Sequence, residues 1–492
     1  MLVYEGIKSG FINDVDLNLI TDKILNRFKE VFHRSTGESE INSWRESMLR
    51  MRGVLADKEI PDNAGVAIEF NIPHTSNRID FLLSGYDKNK KNSIIIIELK
   101  QWTHADAVPG KDGVVSTVTG RALREVTHPS YQAWSYASLI DSYNQEVYDR
   151  NVGLHPCAFL HNYELSDTDP INSEQYRDYI NAAPMFGAKD FEKLRDFIKR
   201  FVTEGDDKEG LYIIENGKIK PSKMLQDSFS SVLKGNKEFV LIDDQKIIFE
   251  EALRIGVNAH LHNEKSVLIV EGGPGTGKSV LEINLLKQFL NRSFNSFYVT
   301  KNSAPREVFK AKLKIDKMSG LNNLFKGSGS FYDCESNSFD VLIVDEAHRL
   351  NKKSGLFSNL GENQIKEIIN SSMFSIFFID ENQRVTLKDN GSIEEINKYA
   401  RYYNAGIHKM KLKSQFRCDG SDGYLAWLDN VLEIRETANF DLDNKYDFKV
   451  FDDPNDLRQA IVEKNKINNK SRLVAGYCWD WISEGKNKTD IY

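Results

Sequence analysis

Apolar residues recur every three or four positions within the first sixty residues, in LNLITDKILNRFKEVF and again in SWRESMLRMRGVL. This spacing is typical of amphipathic helices, and Ser39 in SEINSW is the expected cap of the second one. Three apolar strand segments follow, VAIEFNI, RIDFLLSG and SIIIIELK, and the polar turn YDKNKKN joins the last two into a predicted antiparallel hairpin. With a helix at 130–143 and a strand at 156–160, the order predicts a mixed α/β domain.

The second half of the chain has a different pattern, in which continuous apolar strands alternate with helices. The strands are SVLIVEG, SFYVT, FDVLIVDE and FSIFFID. Strands that are apolar throughout and separated by helices indicate a parallel sheet buried on both faces. A shorter series, MKLKSQF, DFKVFDD and SRLVAGYC, indicates the beginning of another lobe. The Gly- and acid-rich segment EGDDKEG indicates a domain boundary. Together these patterns predict an N-terminal domain at 1–205, a connector at 206–238, a first lobe at 239–405 and a partial second lobe at 406–492.

Composition narrows the class of protein. The 492 residues are 40% hydrophobic and 28% charged, with a net charge of −7. These values are typical of globular proteins and exclude a globally basic nucleic-acid binder, although a local basic groove stays compatible with them. The four cysteines form no CxxC pair, so neither a zinc site nor a disulfide framework is expected. The N-terminus lacks a signal-peptide pattern, and no apolar run approaches the roughly 18–20 residues that span a bilayer. We therefore expect a cytoplasmic protein without a membrane partner.

A phosphate-binding pattern follows the strand SVLIV. The segment GGPGTGKS fits GxxxxGK[ST] and precedes a helical pattern, so its backbone N–H groups are expected to surround the phosphates of ATP at a helix N-terminus. Lys278 would neutralise phosphate charge, and Ser279 would hold Mg²⁺. The predicted nucleotide-binding residues of this segment are Gly272, Gly273, Pro274, Gly275, Thr276, Gly277, Lys278 and Ser279.

Two carboxylates end the apolar strand FDVLIV. Asp345 is predicted to hold Mg²⁺ through water, and Glu346 to orient or deprotonate the attacking water. Without the preceding phosphate loop, a DE pair at a strand end would equally fit a solvated turn. Together the two motifs predict a nucleoside triphosphatase.

Further motifs occur in the order that superfamily 1 helicases have. Gln245 lies before the phosphate loop, at the position where a glutamine of that family contacts adenine. The segment TKNSAP follows a strand, at the position where those helicases contact nucleic acid. Gln383 in FFIDENQR resembles the residue that couples γ-phosphate to nucleic acid. Arg417 in LKSQFR resembles the arginine that reaches γ-phosphate from the second lobe. DEAH, DENQ, LKSQFR and AGYCWDW together resemble the Schlafen-type group of bacterial DNA/RNA helicase domains, over residues 211–492. The resemblance implies a RecA-like ATPase lobe, a partial second RecA-like lobe, and a nucleic-acid partner, with DNA favoured over RNA.

The resemblance has one departure. The glycine- and glutamine-bearing fifth motif and the arginine-bearing sixth motif of that family have no match between AGYCWDW and Tyr492. We therefore expect either a fragment or an incomplete second lobe, and helicase activity does not follow from ATP binding.

The N-terminal hairpin carries a second constellation. Asp80 lies near the start of RIDFLL, and Glu98 and Lys100 close SIIIIELK. Two carboxylates can bind Mg²⁺ or Mn²⁺ with open water positions, and a lysine on the same strand face can position the attacking water. This arrangement resembles the PD-(D/E)XK nucleases, over residues 38–165, although an ExK triplet by itself is common at strand ends.

Two other features extend the resemblance to RecB-like nucleases. Gln132 and Tyr136 lie four residues apart on a predicted helix and therefore share one face. Glu40 is the candidate acid of the first helix, with Glu46 and Glu69 as rivals. The predicted N-terminal domain is thus restriction-endonuclease-like.

The whole pattern predicts a nuclease–helicase-type ATPase in which ATP hydrolysis is coupled to DNA translocation or sensing and to metal-dependent cleavage. Bacterial fusions of this kind often act in anti-phage defence or DNA repair, which is the role that the resemblance implies. The alternative is a non-cleaving nucleic-acid-binding ATPase switch with a retired nuclease fold.

Overall fold

The structure of the chain is a computed structural model. It describes residues 2–32, 36–72, 77–120, 122–217, 240–302, 324–354, 359–384, 386, 389–413, 422–434, 447–469 and 471–474. The chain divides into two compact units, Met1–Asp422 and Gly423–Tyr492. In its described part the first unit contains two six-stranded sheets and a smaller three-stranded sheet.

The first sheet is mixed. Its strands are β1 (Tyr4–Ile7), β2 (Gly65–Asn71), β3 (Arg78–Tyr86), β4 (Asn92–Lys100), β8 (Gly153–Leu160) and β9 (Met185–Gly187), in the order β1-β2-β3-β4-β8-β9. β1 to β4 pair antiparallel, whereas β8 is parallel to β4 and β9 is parallel to β8. The pairing of β3 with β4 confirms the predicted hairpin.

The N-terminal region contains eight described α-helices, most of which cover the two faces of this sheet. They are α1 (Lys8–Asp16), α2 (Ile20–Phe32), α3 (Glu38–Leu55), α4 (Pro129–Tyr143), α5 (Gln145–Asp149), α6 (Arg177–Ala182), α7 (Phe191–Phe201) and α8 (Glu209–Asn216). The run Ile94–Ile97 is fully buried because alternate side chains enter two cores. Ile95 and Ile97 join the core that includes α1, α2, α3 and α7, and Ile94 and Ile96 join the core that includes α4 and α8.

Local signals set the ends of two helices that matter below. Pro129 is the first residue of α4, and the His128 side chain accepts a hydrogen bond from Ser130 N, which satisfies one free donor of the first turn. The expected cap of α3 was wrong, because this helix begins at Glu38 with Gly37 as its N-cap, and Ser39 lies inside the first turn.

A three-stranded antiparallel sheet lies between β4 and α4 in the chain. Its strands are β5 (Ala105–Ala107), β6 (Val114–Thr119) and β7 (Ala122–Thr127). The apolar pattern did not predict this sheet, because its strands are short and β7 is largely exposed.

The second large sheet is parallel throughout. Its strands are β10 (Ser266–Gly272), β11 (Ser296–Thr300), β12 (Phe325–Gly327), β13 (Phe339–Val344), β14 (Ser372–Ile379) and β15 (Gly406–Leu412), in the order β12-β11-β13-β14-β10-β15. Its helices are α9 (Asp244–His262), α10 (Lys278–Asn291), α11 (Gln364–Ser371) and α12 (Ile393–Tyr402). The predicted buried parallel sheet is confirmed.

One expected boundary needs correction. The second lobe was predicted to begin at residue 406, but β15 pairs along its length with β10 and is the edge strand of the parallel sheet. Its lysine-rich sequence follows from that edge position, since most of its side chains are partly or fully exposed.

The second unit is described only in part. It contains most of α13 (Asp422–Val431) and all of α14 (Pro454–Asn468), and Trp427 packs edge-on against Phe448 at 5.1 Å between ring centroids. None of the helices in the described ranges is both long enough and apolar enough to cross a bilayer.

Candidate functional site

Three chemistry-bearing segments meet at one edge of the parallel sheet. GGPGTGKS begins at Gly272, the last residue of β10, Asp345–Glu346 follows β13, and Asp380–Gln383 follows β14. Because the three strands are parallel and adjacent, their carboxyl ends lie at the same edge. Such edges are where ligands bind in parallel α/β sheets. We call this region the P-loop edge.

The backbone of the loop has the form that an anion site needs. Gly275 and Gly277 have φ of 77° and 76°, a left-handed conformation that glycine adopts without steric cost. Thr276 Oγ1 donates to Gly273 O at 3.0 Å, which fixes the turn. Ser279 lies in the first turn of α10, so the loop presents free N–H groups at a helix N-terminus.

Lys278 is surrounded by acids. Its Nζ donates to Gly272 O at 2.6 Å and to Gly273 O at 2.8 Å. Four carboxylates are close enough to raise its pKa: Glu282, Asp380, Asp345 and Glu346. Burial outweighs them and lowers the pKa of Lys278. The P-loop edge therefore combines one lysine with an excess of negative charge, which suits a phosphate accompanied by a divalent cation.

Asp345 belongs to a buried hydrogen-bonded group. Tyr298 Oη donates to Glu282 Oε2 at 3.0 Å, and both side chains act on Asp345. Burial raises the pKa of Asp345 to about 6. Burial and the neighbouring Asp345 charge raise the pKa of Glu282 well above its usual value. Glu282, one turn after Ser279, had no recognisable motif in the sequence.

Glu346 and Gln383 are held by neighbouring polar groups. Asn302 Nδ2 donates to Glu346 Oε2 at 2.5 Å, and Glu346 has a left-handed backbone with φ of 47°. Gln383 Nε2 donates to Asp380 Oδ2 at 2.6 Å. Both predicted residues thus lie in segments at the P-loop edge.

Gln245 contacts the loop directly. It is buried in the first turn of α9, and its Nε2 donates to Thr276 O at 3.1 Å. Lys301 is paired with Asp389 at 2.9 Å and with Asn351 Oδ1 at 3.0 Å, so its charge is already compensated. Arg417 and the SAPR part of the TKNSAPR segment lie outside the described residues.

A second site lies in the N-terminal region. A cavity of about 430 Å³ contains five carboxylate side chains in its lining: Glu40, Glu69, Asp80, Glu98 and Asp243. We call it the acid cavity. Gln132 and Tyr136 also line it, so the cavity brings together the predicted Asp80 and Glu98 of the hairpin and the two predicted residues of α4.

The strand register explains why Asp80 and Glu98 meet. Phe81 lies opposite Ile97, so Asp80 and Glu98 form the next pair along and point to the same face. Asp80 Oδ2 accepts a hydrogen bond from Leu99 N at 2.7 Å. Glu98 is buried, and burial together with the Asp80 charge raises its pKa well above the usual value.

Lys100 lies beside Glu98 on the same strand face. Its Nζ contacts Glu98 Oε1 at 2.7 Å. Burial lowers the pKa of Lys100, but the charges of Glu98 and Asp80 outweigh burial and raise it. The lysine is therefore a stable cation beside Glu98, although it is not one of the residues that line the acid cavity.

Of the three candidates for the first-helix acid, two line the acid cavity and one does not. Glu40 and Glu69 both line the cavity and share Arg78, whose NH2 donates to Glu40 Oε1 at 2.8 Å and whose NH1 lies 2.7 Å from Glu69 Oε2. Glu69 also accepts from Trp44 Nε1 at 2.7 Å. Glu46 is exposed and does not line the cavity.

Gln132 and Tyr136 form a chain of hydrogen bonds to a residue that the motifs did not identify. Gln132 Nε2 donates to Tyr136 Oη at 2.9 Å, and Tyr136 Oη donates to Asp243 Oδ2 at 2.9 Å. Burial raises the pKa of Asp243 to about 6. Asp243 lies two residues before Gln245, so the one sequence signal was its place in LIDDQ.

The donor set of the acid cavity fits a divalent cation. Glu98 Oε2 is buried and has no hydrogen-bond partner in the described part of the chain, although a buried carboxylate oxygen needs one. Within the described ranges, no three His, Cys, Asp or Glu side chains form a ready-made metal cluster. Asp80 and Glu98 would therefore need water and a backbone carbonyl to complete the ligand shell.

Comparison with known proteins supports part of this picture. Residues 265–492 match the model of the Schlafen group 3 DNA/RNA helicase domain. The match covers the P-loop edge and suggests a nucleic-acid-associated ATPase; it does not include the N-terminal region.

One curated relative is an uncharacterized protein of Saccharomyces cerevisiae. It is 26% identical over 258 residues, which cover 45% of this chain and 56% of the yeast protein. The chain thus spans a little over half the length of that relative.

Proposed function

We propose that the chain is a nucleic-acid-directed ATPase with a metal-dependent nuclease centre. The ATPase part uses the P-loop edge, on a RecA-like lobe, and the nuclease part uses the acid cavity, on a PD-(D/E)XK-like domain. The observation that carries the ATPase proposal is Lys278, which follows a left-handed glycine loop and lies near four carboxylates. Three of them, Asp345, Glu346 and Asp380, follow adjacent parallel strands, and the fourth, Glu282, belongs to α10. The helicase-domain match over residues 265–492 supports the same class.

At the P-loop edge each residue has a proposed part in hydrolysis. The loop N–H groups and Lys278 bind the phosphates, and Ser279 and Asp345 would hold Mg²⁺, which stabilises charge on the transferred phosphoryl group. Glu346 orients water, with Asn302 fixing its carboxylate. Gln383 links the γ-phosphate position to nucleic acid, and Arg417 contributes a cation.

In the acid cavity Asp80 and Glu98 would hold Mg²⁺ or Mn²⁺. The metal ion would lower the pKa of a bound water and stabilise the charge that develops on the phosphodiester during attack. Lys100 lies next to Glu98 and positions the attacking water. Glu40, Gln132 and Tyr136 line the substrate side. The strongest support is the shared face of Asp80 and Glu98 together with the buried Glu98 Oε2, which lacks a partner in the described residues.

Two assays on the full chain test the proposal. ATP hydrolysis is measured with Mg²⁺ alone and with added single-stranded DNA, duplex DNA or RNA, and we expect stimulation by nucleic acid, with DNA more effective than RNA. Cleavage of the same nucleic acids is measured with Mn²⁺, Mg²⁺ or EDTA. An ATP hydrolysis rate that no nucleic acid changes contradicts the nucleic-acid-directed ATPase. Cleavage that continues in EDTA contradicts the metal-dependent nuclease centre.

A non-cleaving ATPase switch is the second candidate. It is favoured by the internal pairing of the cavity, where Arg78 compensates Glu40 and Glu69 and Lys100 compensates Glu98. In that case nucleic acid stimulates ATP hydrolysis, and no metal supports cleavage.

A further inference from the structure

Residues 241–245, which we call the bridging segment, contact both candidate sites. On one side, Tyr131 Oη donates to Leu241 O, and Tyr136 Oη donates to Asp243 Oδ2 at 2.9 Å inside the acid cavity. On the other side, Gln245 Nε2 donates to Thr276 O in the phosphate loop at 3.1 Å. A single residue, Asp244, therefore separates Asp243 in one site from Gln245 at the other.

The backbone at the centre of this segment is strained. Asp243 has φ of 40° and ψ of −115°, a region that glycine populates and that other residues adopt only where surrounding contacts hold them. Its carboxylate is held by the Tyr136 hydroxyl, and the next turn is held by Gln245, whose Oε1 accepts from Ile242 N at 3.4 Å. A strained conformation of this kind is sensitive to the loss of any single contact.

Ion pairs next to the segment fix the frame around it. Lys111 and Lys246 are buried lysines on opposite sides of the contact between the small sheet and α9. Lys111 lies 2.5 Å from Glu251 of α9, and Lys246 of α9 lies 3.1 Å from Asp112. These ion pairs hold α9 against the small sheet, so the bridging segment lies within a frame that is fixed on both sides.

We propose that the bridging segment couples the two sites, so that nucleotide binding at the phosphate loop and the seating of Asp243 in the acid cavity stabilise each other. This inference rests on the proposed function. Asp243 adds a negative charge beside Asp80 and Glu98, so its seating determines how the cavity receives a divalent cation and the anionic phosphodiester of nucleic acid. Coupling between binding events is reciprocal, so a substitution in the cavity should change the affinity of the nucleotide site.

The test removes the hydroxyl that holds Asp243. Tyr136→Phe is compared with Tyr163→Phe, a matched control in which another buried tyrosine loses a 2.9 Å hydrogen bond to an aspartate, Asp169, away from the bridging segment. Affinity for a non-hydrolysable ATP analogue with Mg²⁺ is measured by calorimetry on the full chain. We expect Tyr136→Phe to weaken binding at least about fivefold, the low end of typical coupling, and Tyr163→Phe to change it less than twofold.

A second readout distinguishes coupling from a general loss of stability. Amide hydrogen exchange is followed with and without the same analogue. In the wild-type protein we expect nucleotide to slow exchange in residues 241–245 and also in α4, and in Tyr136→Phe we expect the protection of α4 to disappear while protection of the phosphate loop at saturating analogue persists.

The outcomes separate the inference from the function on which it rests. Equal affinities in the two variants, or unchanged α4 protection in Tyr136→Phe, overturn the coupling and leave the ATPase proposal standing. A wild-type protein that binds no nucleotide overturns both. Because neither readout needs cleavage, an inactive acid cavity leaves the test valid.

Discussion

The acid cavity and the P-loop edge both combine several carboxylates with a nearby lysine, but they are built in different ways. At the P-loop edge, the lysine and the loop are contiguous in sequence, and Lys278 bonds only to carbonyls of its own loop among the described contacts. In the acid cavity, Lys100 pairs with Glu98, and Arg78 pairs with Glu40 and Glu69. The first arrangement leaves loop donors for an external phosphate, whereas the second satisfies much of its charge internally.

This difference determines what substitutions should do. Removing a side chain that serves an external ligand costs function and leaves the fold intact, while removing one member of an internal pair leaves its partner buried and uncompensated. Substitutions at the P-loop edge should therefore separate activity from stability more cleanly than substitutions in the acid cavity.

The largest effect is expected for Glu346→Gln. Glutamine keeps the shape but cannot activate water, so ATP binding should persist while kcat falls roughly 10²–10⁴-fold, the usual contribution of such a group. Steady-state hydrolysis and analogue binding are measured on the same protein. Glu335→Gln, an exposed site, is the control. Wild-type kcat in Glu346→Gln would remove Glu346 from this role.

Metal-dependent cleavage should respond to Asp80→Asn and to Lys100→Met. The first loses a metal ligand and the second the cation beside Glu98, and each should reduce the Mn²⁺-supported rate at least about 10²-fold. Asp106→Asn on β5, an exposed aspartate, should cleave as the wild type does. A rate within threefold of wild type in both cavity variants would contradict the nuclease centre.

Nucleic-acid affinity should depend on salt. The net charge is −7, so binding must use a local basic groove, which we expect near residues 300–306. Affinity should fall about threefold to fourfold per contacted phosphate between 50 and 200 mM salt. Since Lys301 is compensated by Asp389, Lys301→Ala should alter the salt slope little. Binding of DNA that is insensitive to salt would exclude a phosphate-reading groove.

The smallest effect concerns pH. Burial raises the pKa of Glu69 to about 7 from 4.5. The folded state therefore binds this proton more tightly, and the contribution of Glu69 to the unfolding free energy falls as pH rises from about 4.5 to about 7 and is constant above. The thermal midpoint of the wild type should decline relative to Glu69→Gln across that window, with exposed Glu38→Gln as control. A parallel pH profile for wild type and Glu69→Gln would contradict the raised pKa.

The same contrast explains what could be predicted from the sequence. The parallel sheet and the β3–β4 hairpin follow from local apolar patterns, because strand burial and a short polar turn are encoded within about ten residues. The β15 boundary did not follow, because its edge position depends on pairing with β10, more than one hundred residues earlier.

The candidate sites show the same limit. The residues of GGPGTGKS are contiguous in the sequence, so the strand before them and the helix after them are enough to predict that they form one loop. Asp243 was missed as part of the acid cavity, because its approach to Tyr136 depends on a contact 107 positions apart and on an unusual backbone conformation. The spacing of apolar residues predicts neither this long-range contact nor this backbone conformation.

The most direct test of the central claim is a calorimetric titration of the wild-type chain and Lys278→Ala with a non-hydrolysable ATP analogue and Mg²⁺. The Lys278 ammonium contacts only loop carbonyls among its described hydrogen bonds, so its loss should weaken analogue binding at least about 10²-fold, or ~2.7 kcal/mol, with a nearly unchanged thermal midpoint. Lys398→Ala, at an exposed helical lysine, should bind as the wild type does. Equal analogue affinity in wild type and Lys278→Ala would contradict a nucleotide site at the P-loop edge.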